Sequence, residues 1–288
     1  MEKYYRFAGL DFLIDLADER AYRDERWLGP FRVDSVQSPH CFHYEIVDAL
    51  VTPGGTEIVA QPGFRIYREG DWTVRYIGSV QESWDRAYIR AAHRVKEHQV
   101  QLKSSQFPAA VGVNTVLNSM MIEHLIARNG GYVFHTSYIQ RDGKAILFTA
   151  PSGTGKSTQA ELWKELRGVE IVNGDRAAVR IVGGEILADG IPFSGSSRYC
   201  LNRTLPIAAV VYLRQAPITT IRRVCGVEAF FKIWEGVSVN TWDKEDVDLV
   251  SGAVKRVVEQ VPVFQLSCTP DESAVLALEQ ALRKQETL

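Results

Sequence analysis

Residues 145–158 read AILFTAPSGTGKST and decide how the second half of the chain is expected to fold. The apolar run 145–149 predicts a buried strand, and residues 159–166 predict a helix. Between them lies a Gly-rich loop that ends in Gly155-Lys156-Ser157, with Ala150 where the G-x-x-x-x-G-K-[ST] pattern has its first glycine. A strand, this loop and a helix in that order predict a phosphate loop, in which backbone N–H groups surround phosphate oxygens. The alternative is a plain Gly/Ser turn before a helix.

The predicted loop gives each of its residues a task. Lys156 would bridge the terminal phosphates of ATP, and the Ser157 hydroxyl would complete the ligand shell of a Mg²⁺ ion. The sequence does not separate ATP from GTP. Ala150 costs little if its position needs no positive φ. The residues expected to bind the nucleotide are Ser152, Gly153, Thr154, Gly155, Lys156, Ser157 and Thr158.

A phosphate loop also needs a carboxylate that holds Mg²⁺ from the opposite side. Asp175 is the best candidate, because it lies nineteen residues after Lys156 and follows the apolar run 169–172. A turn aspartate after Asn-Gly is the alternative. Asp189, after the strand-like run 185–188, is a second candidate for the general base, and an ordinary turn aspartate is the alternative there too.

The bulk composition limits the partners of the chain. Its 288 residues are 45% hydrophobic and 24% charged, which is typical of a globular protein. A formal net charge of -2 gives no basic footprint for a polyanion, so we expect no nucleic acid partner. The four cysteines are scattered, and no apolar run is long enough to span a bilayer, so we expect a cytoplasmic protein with no membrane partner. An oligomer is compatible with the sequence.

Residues 1–105 predict a β-rich region whose strands form an antiparallel sheet. The clearest hairpin joins the alternating runs 64–67 and 72–77 through a turn that contains Gly70. A boundary is expected between Lys103 and Pro108. Three arginines at four-residue spacing would share one face if their segment were a helix, although a solvated face is the simpler interpretation; they are Arg86, Arg90 and Arg94.

Residues 106–288 predict a second, α/β domain that contains the loop. A core-facing helix is expected over 114–129, where apolar residues recur at helical spacing. The phosphate-loop helix should end at Gly168. Further strands are expected at 132–139, 169–172, 177–182, 185–188, 207–213 and 263–266, and further helices at 244–261 and 272–284.

Three segments together resemble the catalytic core of the HPr kinase/phosphorylase family. They are His135-Thr136-Ser137-Tyr138, the strand and loop over 145–157, and Ile171-Val172-Asn173-Gly174-Asp175-Arg176. The resemblance covers roughly residues 132–213. It implies an α/β (α+β) fold, with a mixed sheet that carries the phosphate loop, related to ATP-dependent phosphoenolpyruvate carboxykinase. Small relatives of this family include kinases that phosphorylate peptides during the biosynthesis of ribosomally made natural products, such as lasso peptides.

The resemblance also implies a role for His135, whose distance before Lys156 matches that of a histidine in the family. His135 would lie beside the acceptor or orient the catalytic carboxylate. Where the family has two carboxylates after the strand, this chain has Gly174-Asp175, so the base is either Asp175 or Asp189. Phosphoryl transfer further requires a cationic clamp, for which the candidates are Arg176, Arg198 and Arg203.

These observations predict an ATP- and Mg²⁺-dependent kinase that transfers the γ-phosphate to a hydroxyl, with Ser of a peptide or protein as the expected acceptor. Two alternatives stay open. One is an ATP-binding regulatory module or hydrolase with little transfer, which the single carboxylate favours. The other is a kinase that acts on a small molecule.

Overall fold

The structure is a computed structural model that describes residues 2–16, 25–61, 64–78, 85–92, 96–106, 119–195 and 197–286. The chain is an α+β protein that divides into two compact units, Met1–Ile122 and Glu123–Leu288. The boundary expected between Lys103 and Pro108 stays a prediction, because residues 107–118 lie outside the described residues. Among the described helices, none is long and apolar enough to cross a membrane.

The described part of the first unit is built almost entirely of strands. One short helix, α1 (Glu25–Leu28), and two 3₁₀ turns accompany them. The strands are β1 (Glu2–Phe7), β2 (Leu10–Leu16), β3 (Arg32–Val33), β4 (His40–Val47), β5 (Thr56–Gln61), β6 (Phe64–Glu69), β7 (Trp72–Gly78), β8 (Asp85–Ala92) and β9 (Glu97–Lys103).

These nine strands form one sheet in the order β3-β1-β2-β4-β9-β8-β7-β6-β5. The expected hairpin is confirmed as β6 and β7, which pair antiparallel. The expectation of a purely antiparallel sheet was wrong, because β4 runs parallel to both β2 and β9. Only a tight turn forces two strands to be antiparallel, and β4 is reached through α1 and β3 and left through the whole β5–β8 meander.

The arginine-bearing segment of the first unit is a strand. The helical arrangement considered for Arg86, Arg90 and Arg94 was wrong, since Asp85–Ala92 pairs antiparallel with both β7 and β9; Arg94 lies outside the described residues. A four-residue spacing fits either structure, and here pairing with two neighbours determines the conformation.

The second unit alternates strands and helices. Its helices are α2 (Ile122–Arg128, which begins at the last residue of the first unit), α3 (Lys156–Arg167), α4 (Gly226–Trp234), α5 (Lys244–Gln260) and α6 (Glu272–Glu286). Its strands are β10 (Gly131–His135), β11 (Ser137–Arg141), β12 (Lys144–Thr149), β13 (Glu170–Asn173), β14 (Arg176–Val182), β15 (Glu185–Gly190), β16 (Thr204–Gln215), β17 (Thr220–Val224), β18 (Val237–Ser238) and β19 (Val263–Cys268).

These strands form a mixed sheet in the order β13-β11-β12-β16-β15-β14-β10-β18, with β19 paired to β16 and β17. Strands β12, β16 and β19 run parallel to one another, and the remaining pairs are antiparallel. Alternate residues of β12 point to opposite faces. Ala145 and Leu147 pack with α4 and α5, whereas Ile146 and Phe148 pack with α3 and α6.

Two expectations for this unit need correction. The single strand predicted over 132–139 is two strands, β10 and β11, which pair with different neighbours. The chain turns at buried Thr136, whose hydroxyl donates to the Phe148 carbonyl at 2.8 Å. The helix predicted over 114–129 is interrupted within the described residues: Ser119 is helical, the chain turns at residues 120 and 121, and α2 begins at Ile122, because Met121 has a φ of +50° that a right-handed helix does not accommodate. Residues 114–118 lie outside the described residues.

Helix α5 is anchored to α2 by a buried polar cluster. The carboxylate of Asp246, in the first turn of α5, accepts hydrogen bonds from His124 at 2.9 Å, Arg128 at 3.2 Å and Asn240 at 2.9 Å. Asp243 caps the same helix by accepting from the backbone N–H groups of residues 245 and 246. Each acceptor is therefore matched by donors, as a buried carboxylate requires.

Candidate functional site

The Gly-rich loop connects the end of β12 to the start of α3, as the sequence predicts. Gly155 has a φ of +113° at the position before the helix, where a side chain would strain the backbone. Ala150 does not have a positive φ, so it is accommodated in place of the first glycine. The backbone N–H groups at the start of α3 are left without helical partners and make this end of the helix suited to an anion.

Lys156 folds back over the loop. Its Nζ donates to the carbonyl of Ala150 at 3.1 Å, and the side chain is almost fully buried. Burial lowers the pKa of Lys156 below its ordinary value, and the negative charge of Asp175 opposes this shift. Any further anion that approaches this buried ammonium group stabilises its charged form.

Asp175 and Ser157 lie on the same side of the loop. The Ser157 hydroxyl donates to the carbonyl of Gly174 at 3.2 Å, and Asp175 is the next residue. His135 Nε2 donates to Asp175 Oδ1 at 3.1 Å, so the structure brings together the histidine and the aspartate that the sequence singled out. This hydrogen bond lowers the pKa of Asp175 below its ordinary value; burial opposes it, and the charges of His135, Arg176 and Lys156 add to it.

Asn173 holds the turn that presents Asp175, a role that sequence analysis missed. Its Oδ1 accepts from the backbone N–H groups of Asp175 at 2.9 Å and Arg176 at 3.0 Å, and its Nδ2 donates to the carbonyls of Ile191 and Phe193. Asn173 is fully buried. The Asn-Gly pair that suggested an ordinary turn is therefore an Asx turn that orients Asp175.

The segment 190–197, which follows β15, packs against Asp175. Gly195 has a φ of +53°, and a Cβ atom built on it would lie 2.8 Å from Asp175 Cγ. Ser194 and Ser197 line a cavity of about 320 Å³ together with Ser157 and Asp175. Residue 196 lies outside the described residues. This hydroxyl-rich cavity is the polar side of the loop.

Two wider openings, of about 620 Å³ and 610 Å³, lie on the other side of the loop and share Gly153 and Thr154. Both are also lined by Arg214 at the end of β16, and the smaller one by Lys232 of α4. These two cations were not predicted from the sequence, because α4 itself was not predicted and no pattern connects residues 214 and 232 to the loop. A cation from α4 therefore lies beside a loop formed seventy-odd residues earlier.

The remaining predicted residues divide between the site and the scaffold. Asp189 is buried and accepts two hydrogen bonds from Arg180, at 2.6 and 2.8 Å, and one from Thr204 at 2.6 Å. Arg203 pairs with Glu170 at 3.5 Å on the surface. Arg176 lies 3.5 Å from Asp175 and 3.8 Å from Glu123, and Arg198 lines the polar cavity. Arg176 and Arg198 are thus the arginines of the three that border the Asp175 side.

Comparison with known proteins shows structural similarity that is distant in sequence. No protein-family model and no curated protein matches the chain. Among solved structures, the chain is similar to the HPr(Ser) kinase/phosphatase from Coxiella burnetii, with 12% sequence identity and a TM-score of 0.34. The alignment covers 54% of this chain and 90% of that one.

Proposed function

We propose that this protein is an ATP- and Mg²⁺-dependent kinase that transfers the γ-phosphate to a hydroxyl group, with Ser of a peptide or protein as the acceptor. One observation carries the proposal. Lys156, Ser157, Asp175 and His135 form a continuous set of neighbours around a glycine-rich loop that precedes a helix. The order of these residues along the chain is also the order that underlies the resemblance to HPr kinase/phosphorylase.

The loop supplies the binding of the triphosphate. The backbone N–H groups over 152–158 and the buried Lys156 ammonium would surround the β- and γ-phosphates. Arg214 and Lys232 border the same loop and add positive charge on the side away from Asp175. Phosphoryl transfer depends mainly on such positioning and charge neutralisation.

Ser157 and Asp175 fit a Mg²⁺ ion. Their side-chain oxygens line one cavity, and Mg²⁺ is usually bound through one or two carboxylates together with substrate phosphates and water. The low pKa of Asp175 keeps this carboxylate ionised at neutral pH, as a metal ligand or a base must be. When bound, the ion would neutralise charge on the phosphates.

Asp175 is also the better of the two candidate bases. One of its oxygens is occupied by His135, and its side chain is 27% exposed towards the polar cavity, where an acceptor hydroxyl could reach it. Asp189 is only 1% exposed, and its oxygens bind Arg180 and Thr204. We therefore assign proton acceptance to Asp175 and its orientation to His135.

The test is transfer of phosphate by the full chain. The protein is incubated with Mg²⁺, ATP and a mixture of Ser-containing peptides, and products are identified by mass spectrometry. We expect a peptide that gains one phosphate, and much less of this product with Lys156→Ala. Lys144→Ala is the matched control, because Lys144 is exposed at the opposite end of β12.

The outcomes also separate the alternatives. ADP formation with no modified peptide would favour the regulatory or hydrolytic module, and phosphate on a metabolite added to the mixture would favour a small-molecule kinase. No product and no ADP from the unaltered protein would refute the proposal.

A further inference from the structure

The larger of the two openings on the side of the loop away from Asp175, of about 620 Å³, is called the wide cavity here and has a defined place in the fold. Strands β12, β16 and β19 are parallel, so their carboxyl ends meet at one edge of the sheet. The cavity lies at this edge, between the loop after β12, residues 213–217 at the end of β16 and residues 268–270 at the end of β19. Ligands of open α/β sheets bind in crevices at the carboxyl ends of strands.

The two sides of the loop differ in chemistry. The cavity beside Asp175 contains two carboxylates, Asp175 and Glu161, and several hydroxyls. The wide cavity shares no lining residue with it, and its described lining includes no Asp or Glu. Its lining includes the apolar residues Leu213, Pro217 and Pro270. A volume of about 620 Å³ is in the usual range for a small-molecule pocket.

Gln159 supplies an unused hydrogen-bond donor in the lining of this cavity. It belongs to the first turn of α3, where its backbone N–H bonds to the carbonyl of Gly155 at 2.9 Å. Its side chain is only 3% exposed, yet its Nε2 has no hydrogen-bond partner among the described residues. A buried amide without a partner is costly, so its placement is explained if a ligand accepts from it.

We propose that the wide cavity takes the base of the donor nucleotide and that Gln159 recognises that base by donating from Nε2 to a ring nitrogen or carbonyl oxygen. This inference rests on the proposed kinase function, because it assumes that the loop holds the phosphates. Gln159 lies one helical turn from Gly155, so a ligand whose phosphates occupy the loop extends past this amide. The apolar lining residues Leu213, Pro217 and Pro270 then offer contacts to the faces of the base.

The experiment compares two ligands that share phosphates but not a base. Binding of ATP and of inorganic tripolyphosphate, both with Mg²⁺, is measured by titration calorimetry on the full chain. Unaltered protein should bind ATP more tightly than tripolyphosphate. Gln159→Leu should weaken the binding of ATP about tenfold, in line with one lost hydrogen bond in a buried site, and leave the binding of tripolyphosphate unchanged.

Gln140→Leu is the matched control. Gln140 also has a buried side-chain atom without a hydrogen-bond partner among the described residues, but it lies on β11 and lines none of the cavities around the loop. We expect this variant to bind both ligands normally. A second variant, Ala216→Trp, should fill the cavity and weaken the binding of ATP without affecting the binding of tripolyphosphate.

Three results would overturn the inference, and they differ from failure of the kinase proposal. ATP and tripolyphosphate of equal affinity would mean that the base makes no contact. A normal ATP affinity in Gln159→Leu would remove the role of this residue, and equal weakening of both ligands would place its effect on the loop. No binding of either ligand to the unaltered protein would refute the phosphate loop itself.

Discussion

At the scale of single residues, the side chain on which the proposed chemistry depends most is Lys156. Its side chain is buried, and its Nζ already donates to the carbonyl of Ala150 in the loop that would hold the phosphates. Removing one preorganised donor from a transition state costs about 3 kcal/mol, so Lys156→Ala should lower kcat/KM by at least about 100-fold. Steady-state kinetics against Lys144→Ala checks this. A variant that keeps most of its activity would exclude Lys156 from the reaction.

Gly195 offers a sharper test of Asp175, because any side chain at this position collides with the carboxylate. We expect Gly195→Ala to displace Asp175 and to reduce activity at least about tenfold, which corresponds to about 1.4 kcal/mol of the barrier. The matched control is Gly183→Ala, where φ is +59° but a Cβ atom meets nothing within 4 Å. Equal activity in the two variants, with similar melting temperatures, would show that the position of Asp175 does not matter.

The sequence predicted the residues that belong to a recognisable local motif. The loop and its lysine carry a known spacing, Asp175 was singled out by its position nineteen residues after Lys156, and His135 by the resemblance to HPr kinase/phosphorylase. Asn173 and Gly195 were missed, because they act on Asp175 through an Asx turn and a close approach that depend on the path of residues 190–197. No local spacing specifies such contacts.

At the scale of elements, the link between α2 and α5 gives a prediction about pH. Burial alone would raise the pKa of Asp246, but hydrogen bonds from His124 and Asn240 and the charge of Arg128 lower it below its ordinary value. Asp246 is therefore ionised in the folded protein, and replacing it leaves buried donors without an acceptor. Asp246→Ala should lower the free energy of unfolding by about 3 kcal/mol at pH 7.

The sign of the pH effect follows from the lowered pKa. The stabilisation by Asp246 is complete above the unfolded-state pKa of about 4 and is lost as the pH falls through the lower folded-state value. The difference between the variant and the unaltered protein, measured by urea unfolding, should thus shrink below about pH 4. Asp248→Ala is the control, because Asp248 is exposed on the same helix. A difference that grows on acidification would contradict the assignment.

Most elements of the second unit were predictable, because their apolar residues recur with a clear period. Strand β13 and helices α3, α5 and α6 begin and end within a few residues of their expected limits. The division of β10 from β11 was not predictable, since a single residue separates the two strands and the break depends on their pairing with different neighbours. The parallel orientation of β4 depends on the long connections before and after it. Hydrophobic alternation shows which face of a strand is buried, but it does not indicate the direction in which the strand runs.

At the scale of the whole molecule, all the residues proposed to bind nucleotide lie in the unit Glu123–Leu288, which has its own hydrophobic core. We expect a fragment of residues 119–288 to bind Mg·ATP with an affinity within about threefold of the full chain, less than 1 kcal/mol apart. Calorimetry on both proteins measures this. A folded fragment with no ATP binding would show that the first unit contributes to the nucleotide site.

The parallel arrangement of β12, β16 and β19 also has a consequence for biosynthesis. The loop is translated early in the second unit. Strand β19, the last of the three parallel strands whose carboxyl ends meet beside the loop, is translated more than one hundred residues later. During translation the nascent chain therefore exposes the Gly-rich segment well before the ribosome has delivered β19. If the chain is the ATP-dependent kinase that we propose, the growing polypeptide should acquire affinity for ATP only once residues beyond Pro270 have emerged.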